Sequence, residues 1–130
     1  MKFIRIAAIF GAVAVILGAF GAHALKSLLL PEQIQTFETG VRYQFYHSFA
    51  LLACGILAEK NPSARFRMAA SSFIVGMVLF SGSLYILSTR FIFGMESLTW
   101  LGPVTPIGGL MFILGWAFLY LGATEKNKGI

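Results

Sequence analysis

Four long apolar runs, separated by short stretches that hold nearly all the charge, set the pattern of this chain. The first, Ile6 to Leu25, is twenty residues long and contains one polar side chain, His23. As a helix rising about 1.5 Å per residue it would span roughly 30 Å, the thickness of a bilayer hydrocarbon core. The pattern predicts spans over about 3–25, 41–59, 65–89 and 106–123. Lys2 and Arg5 ahead of an apolar run closed by Ala22-His23-Ala24 also fit a secretory signal with a cleavage site. The run exceeds a usual signal core, so a retained span is the preferred reading.

The connections carry their own signals. Pro31-Glu32-Gln33 reads as a helix start, with proline at the first position and acid at the positive dipole end. Ile34, Phe37 and Val41 follow at i, i+3 and i+7, which predicts a short amphipathic helix at the interface, with a bend at Gly40. Asn61-Pro62 stops the second span. Phe91-Ile92-Phe93 and Trp100 give the next loop the aromatic character of a headgroup level. Thr105-Pro106 reads as the cap and first position of the fourth span. The expected fold is an all-α integral membrane protein. It is a four-transmembrane-helix bundle with a short interfacial helix between spans one and two, residues 1–130 forming one domain.

Composition sharpens this picture. Of 130 residues, 58 % are apolar and 12 % charged, and the mean hydropathy is +0.81. Four spans leave no room for a soluble domain of ~50 residues. A net charge of +5 would suit nucleic acid, but the basic residues sit at span ends, so nucleic acid is not an expected partner. With four spans, Lys2, Arg5, Lys60, Arg65, Arg67, Lys126 and Lys128 share one side and Lys26, Arg42 and Arg90 the other. Seven against three predicts both termini in the cytoplasm. The chain has no Asp and one cysteine, Cys54, in mid-span, so an Asp dyad and an intramolecular disulfide are both excluded.

Small residues mark the expected helix contacts, because helices in lipid associate by close packing and polar contacts. Gly108, Gly115 and Gly122 recur every seven residues in span four, as do Ala69, Gly76 and Ser83 in span three. Gly11, Gly18 and Ala22 are expected to line span one, and Ser48 and Gly55 span two.

The polar side chains gather toward the outer ends of the predicted spans. The candidate ligand-binding residues are His23, Tyr43, Gln44, His47, Arg90 and Glu96, with Tyr46, Ser48 and Tyr85 nearby. Sequential antiparallel spans pack together, so His23 and His47 are expected to face the interior and share a cluster with Gln44, joined by Arg90 or Glu96. Buried polar groups in a membrane suggest function, yet near a span end they can equally tie helices together. Structural glue is the first reading, a ligand pocket the second and a metal or catalytic site the last. A metal needs three or four converging ligands, and two histidines without HxxxH spacing do not supply them. No motif names a reaction, and neither a catalytic residue nor a cofactor is expected.

Gly18-Ala19-Phe20-Gly21-Ala22-His23-Ala24-Leu25, Tyr43-Gln44-Phe45-Tyr46-His47-Ser48, Phe80-Ser81-Gly82-Ser83-Leu84-Tyr85 and Thr105-Pro106-Ile107-Gly108-Gly109, followed by Gly115-Trp116, resemble the small membrane proteins of domain-of-unknown-function family 423. The resemblance covers nearly the whole chain. It implies a four-span bacterial plasma-membrane protein and no activity, and it marks His23, Tyr43, Gln44 and His47 as signature positions.

The leading expectation is a non-enzymatic membrane protein. It would bind a lipid, a small ligand or a partner membrane protein through the outer polar cluster. The alternative is a subunit of an oligomeric transporter or channel. An enzyme using His23 and His47 at the outer leaflet comes third. The partners expected are the lipid bilayer, such a lipid or ligand, and a second copy or another membrane protein.

Overall fold

The computed structural model describes residues 1–125 and contains no strand among them. Lys126 and Lys128, part of the topology argument, lie outside the described residues. The helices are α1 (Lys2–His23), α2 (Pro31–Lys60), α3 (Ala64–Gly76), α4 (Gly82–Thr89) and α5 (Val104–Thr124). A π-helical turn, Met77–Ser81, joins α3 to α4 into one rod, and a 3-10 turn, Leu98–Leu101, precedes α5. The rods Lys2–His23, Ala64–Thr89 and Leu98–Thr124 are long and apolar enough to cross a membrane.

Helix α2 corrects the expected interfacial helix. It runs unbroken for 30 residues, so the amphipathic stretch and the second span are one rod about 45 Å long. Gln33 Oε1 accepts from the Leu30 amide at 2.9 Å and closes the helix start. Phe37 and Val41 are buried against Leu25 and Leu29, with Ile34 beside them, so this apolar face meets α1 and the turn after it. Gly40 makes no bend. A Cβ there would stand 2.8 Å from the Tyr85 ring, so glycine permits a close approach of α2 to α4.

The expected recurrence in α5 is a packing seam. A Cβ at Gly115 or Gly122 would fall 2.6 or 2.8 Å from the ring of Phe73 or Phe66, and one at Gly108 would overlap the Phe80 backbone. Phe66, Phe73 and Phe80 are themselves spaced by seven, so two aromatic rings of the third rod enter the glycine holes at Gly122 and Gly115, and the backbone of Phe80 closes on Gly108. Phe112 of α5 returns the contact at Gly76. As one position rises the other falls by the same step, as antiparallel neighbours in fixed register must. Ala69, Gly76 and Ser83 are buried as expected, and so are Ser48 and Gly55.

In α1 the expected stripe is displaced. Ala7, Ala14 and Gly21 are the buried residues, Gly11 and Gly18 are half-buried, and Ala22 is exposed. The seven-residue period is the same, but the choice of face depends on α2. Phe37 fills the space over Gly21, and Ile4 packs against Gly55. The start of α5 also differs from the expected cap. Pro103 is the cap residue, and the Thr105 hydroxyl lies 2.6 Å from that of Ser83, tying α5 to α4.

The two rod ends nearest the termini are pinned by charge. The N-terminal ammonium pairs with Glu59. Arg65 Nε lies 2.6 Å from Glu125, which also accepts from Ser63 at 2.5 Å.

Candidate functional site

The α1–α2 register, with Gly21 against Phe37 and Gly18 against Val41, fixes depth. It puts His23 level with about Gln35, twelve residues or about 18 Å along α2 from His47. His23 is exposed, and its ring makes no hydrogen bond to a described residue. The expected pairing of the two histidines is therefore corrected. Because α2 begins at Pro31, His47 lies near the middle of its rod, not at the rod end where the sequence pattern puts it.

A different set gathers at mid-depth. Gln44, 3 % exposed, donates from Nε2 to the Phe10 carbonyl of α1 at 2.7 Å. Its Oε1 accepts from the Tyr85 hydroxyl of α4 at 2.6 Å. One amide thus joins three helices with both of its polar atoms. The Ser48 hydroxyl donates to the Gln44 carbonyl at 2.6 Å, with Met77 Sδ 3.6 Å away. The Ser81 hydroxyl reaches across to the Gly40 carbonyl at 2.7 Å. The π turn that contains Ser81 adds a residue to the helical repeat. That rotates the rest of the rod by about 100°, the angle of one residue. One rod can then serve two neighbours, with Phe80 on α5 and Ser81 and Tyr85 on α2.

His47 is held as tightly. Its Nδ1 lies 2.7 Å from the Tyr43 carbonyl, so Nδ1 carries a proton and donates. Nε2 then has the lone pair that accepts the Trp116 indole N–H at 3.1 Å. The ring stacks on Phe112 with 3.5 Å between centroids and 7° between planes, and Phe73 lies 5.5 Å away. With one nitrogen donating and the other accepting, the imidazole has no free position for a metal or a substrate proton.

The remaining candidates are elsewhere. Tyr43 is partly exposed, with its ring 4.6 Å from Phe80. Glu96 is exposed in the loop. Arg90 lies over Phe91 at 4.9 Å and shares with Glu32 and Ser88 a cleft at the N-terminal end of α2. Its buried Nε finds no acceptor among the described residues. Neither Arg90 nor Glu96 joins the cluster at Gln44. Among the described residues, no three His, Cys, Asp or Glu side chains converge as metal ligands. The sequence pattern points to Tyr85 without giving it a role, and it singles out neither Ser81 nor Trp116 as a polar partner. Ser81 and Tyr85 lie one turn apart, which is the available signal, while the Trp116–His47 contact spans 69 positions and leaves none.

The family described as protein of unknown function, DUF423, matches residues 17–109. The chain belongs to this family. It is 38 % identical over 127 residues to a UPF0382 membrane protein of Haemophilus influenzae, covering 98 % of this chain and 97 % of that one. It is 39 % identical over 124 residues to the UPF0382 membrane protein YwdK of Bacillus subtilis, covering 95 % and 96 %. It is 38 % identical over 125 residues to the UPF0382 inner membrane protein YgdD of Escherichia coli K12, covering 95 % and 91 %. No solved structure matches the chain. The names of these DUF423 relatives give a location, a membrane, and no reaction. The matched segment contains Gln44, His47, Ser81 and Tyr85, while Phe10 and Trp116, which complete their hydrogen bonds, lie outside it.

Proposed function

We propose that this protein is a single-domain, four-span bundle of the bacterial plasma membrane. Both termini are cytoplasmic, and it acts by binding lipid or a partner membrane protein rather than by catalysis. Three rods qualify as spans by length and composition, and α2, long enough at 30 residues though more polar, is read as the fourth. Its polar residues, Gln44, His47 and Ser48, are turned inward and hydrogen-bonded, which is what lipid demands of a spanning helix.

The observation that carries the non-catalytic reading is the saturation of the mid-depth network. Gln44 Nε2 and Oε1, His47 Nδ1 and Nε2, and the hydroxyls of Ser48, Ser81 and Tyr85 each have a partner. A closed network holds helices together and presents nothing to a substrate. Binding then falls to the surface that faces lipid, such as the groove between α1 and α2 lined by Ile4, Gly11, Phe45 and Phe49. Polar groups inside the bundle serve as its clamp.

Reporter fusions test the topology. A cytoplasm-dependent reporter should work at both termini, and a periplasm-dependent one at Lys26 and at Gly94. Periplasmic activity of the C-terminal fusion would refute the four-span arrangement. The clamp reading is tested by extracting bound small molecules from purified protein for mass spectrometry. A compound other than phospholipid that is retained by the natural chain and lost in Gln44→Leu would restore the ligand-pocket reading.

A further inference from the structure

Hydroxyl side chains inside membrane helices normally donate to the carbonyl one turn back or to a neighbouring helix. Here Thr36, Thr39, Ser48, Ser88, Thr89 and Thr124 donate to a carbonyl of the same helix. Ser81 donates to the Gly40 carbonyl, and Ser83 and Thr105 bond each other. Among the serines and threonines of the α-helices, the exceptions are Ser71 and Ser72, whose hydroxyls bond no described residue. Both line one open cleft of about 450 Å³ beside α3, with Arg67 one turn before them and Met68 and Phe118 as apolar walls.

Arg67 also has no counter-charge among the described residues. The described carboxylates at this end of the molecule are Glu59, taken by the N-terminal ammonium, and Glu125, taken by Arg65. Arg67 borders a second cleft as well, together with Lys2. Among the described residues, this end therefore presents a guanidinium without a paired carboxylate and two uncommitted hydroxyls on the membrane side of it.

We propose that the Arg67–Ser71–Ser72 cleft binds an anionic glycerophospholipid of the cytoplasmic leaflet. The guanidinium takes the phosphate diester, and the two hydroxyls donate to the ester carbonyls. The order of the groups supports this. Arg67 is the fourth residue of α3, and Ser71 lies one turn, about 6 Å, further along the axis. A phospholipid presents its groups in the same sequence: phosphate, ester carbonyls, then acyl chains, which would run along Met68 and Phe118. Guanidinium–phosphate pairing can be bidentate, and basic clefts between helices on the cytoplasmic side are suited to anionic headgroups. The leaflet, though not the chemistry, rests on the orientation proposed above.

The test uses the full chain, purified in mild detergent, delipidated and titrated with dioleoylphosphatidylglycerol under native mass spectrometry. One lipid should be held more tightly than the rest. Arg67→Gln should weaken that first binding by about tenfold, the scale of one charge-assisted pair. Ser71→Ala with Ser72→Ala should weaken it by about threefold. Arg42→Gln, an exposed arginine in the opposite half of the bundle, should change nothing. Unfolding midpoints of all variants should match the natural chain. If Arg67→Gln lowers its midpoint, Arg67→Lys, which keeps the charge and loses the fork, must still bind more weakly than the natural chain.

Equal losses in Arg67→Gln and Arg42→Gln would reduce the effect to general charge attraction and overturn the site. Glycerol 3-phosphate displacing the lipid at equal concentration would make it a phosphate site instead. A dimer that disappears in the double serine variant would make the cleft a protein contact. Retention in detergent does not depend on orientation, so a reversed topology would leave the site standing and move it to the other leaflet.

Discussion

Gly115→Ala, set beside Gly11→Ala, probes what holds the bundle together. At Gly115 the added Cβ would stand 2.6 Å from Cε1 of Phe73. Carbon atoms prefer about 3.5–4.0 Å, so the ring must withdraw by roughly 1 Å. It has nowhere to go. Phe73 is fully buried, with the His47 ring 5.5 Å and the Trp116 ring 5.2 Å away. Overpacking of this kind costs about 1–3 kcal/mol. At Gly11 the added methyl would meet nothing within 4 Å. There alanine should be neutral or should stabilise by up to about 1 kcal/mol through helix propensity. The assay is reversible unfolding in mixed micelles, driven by added dodecyl sulfate and followed by far-ultraviolet circular dichroism. The two variants should shift the midpoint in opposite directions, or Gly115→Ala alone should shift it. Trimming the knob supplies the second arm. Phe73→Leu should cost less in the Gly115→Ala background than alone, with a coupling of about 0.5–3 kcal/mol. Equal effects of the two alanines, or strict additivity with Phe73→Leu, would refute knob-in-hole packing along this seam.

The polar side chains give four further expectations. His47→Leu leaves the Trp116 N–H without its acceptor and should cost about 1–3 kcal/mol in the same unfolding assay, whereas His47→Gln should cost less. Trp116→Phe removes the orphaned donor, so combined with His47→Leu it should cost less than the two single effects added. Gln44→Leu should be more damaging than Tyr85→Phe, because the amide joins three helices and the phenol one pair; an equal midpoint for the two would contradict that hierarchy. His23→Ala should change stability by less than about 0.5 kcal/mol, since the ring is exposed and bonds no described residue, and a larger loss would return His23 to the folding machinery.

The solvent determined what could be read from sequence alone. A chain immersed in lipid must be apolar along every rod that faces it and must satisfy its backbone by helix, so long apolar runs reveal α1, the third rod and α5 directly. Close packing without a hydrophobic drive requires small residues at contacts, so the glycine period of α5 was legible before any partner was known. The partner was not. Phe66, Phe73 and Phe80 share the same period, yet nothing local says that they meet Gly122, Gly115 and Gly108, because that pairing is a matter of register between distant segments.

The tertiary structure alone decided the depth of the polar residues. Glu32, Glu38 and Arg42 make the first third of α2 look like an interfacial helix, and that shifts Gln44 and His47 outward by about ten residues, roughly 15 Å of helix. Contacts of Phe37 with Gly21 and of Gly40 with Tyr85 keep α2 a single rod and carry those side chains to the middle of the bundle. His23 and His47 are neighbours in type and in predicted span end, but the α1–α2 register separates them. A residue's type limits what chemistry it can do. Its partners, and so whether Gln44 and His47 form a pocket or a clamp, depend on contacts between segments up to 69 positions apart, which no local pattern encodes.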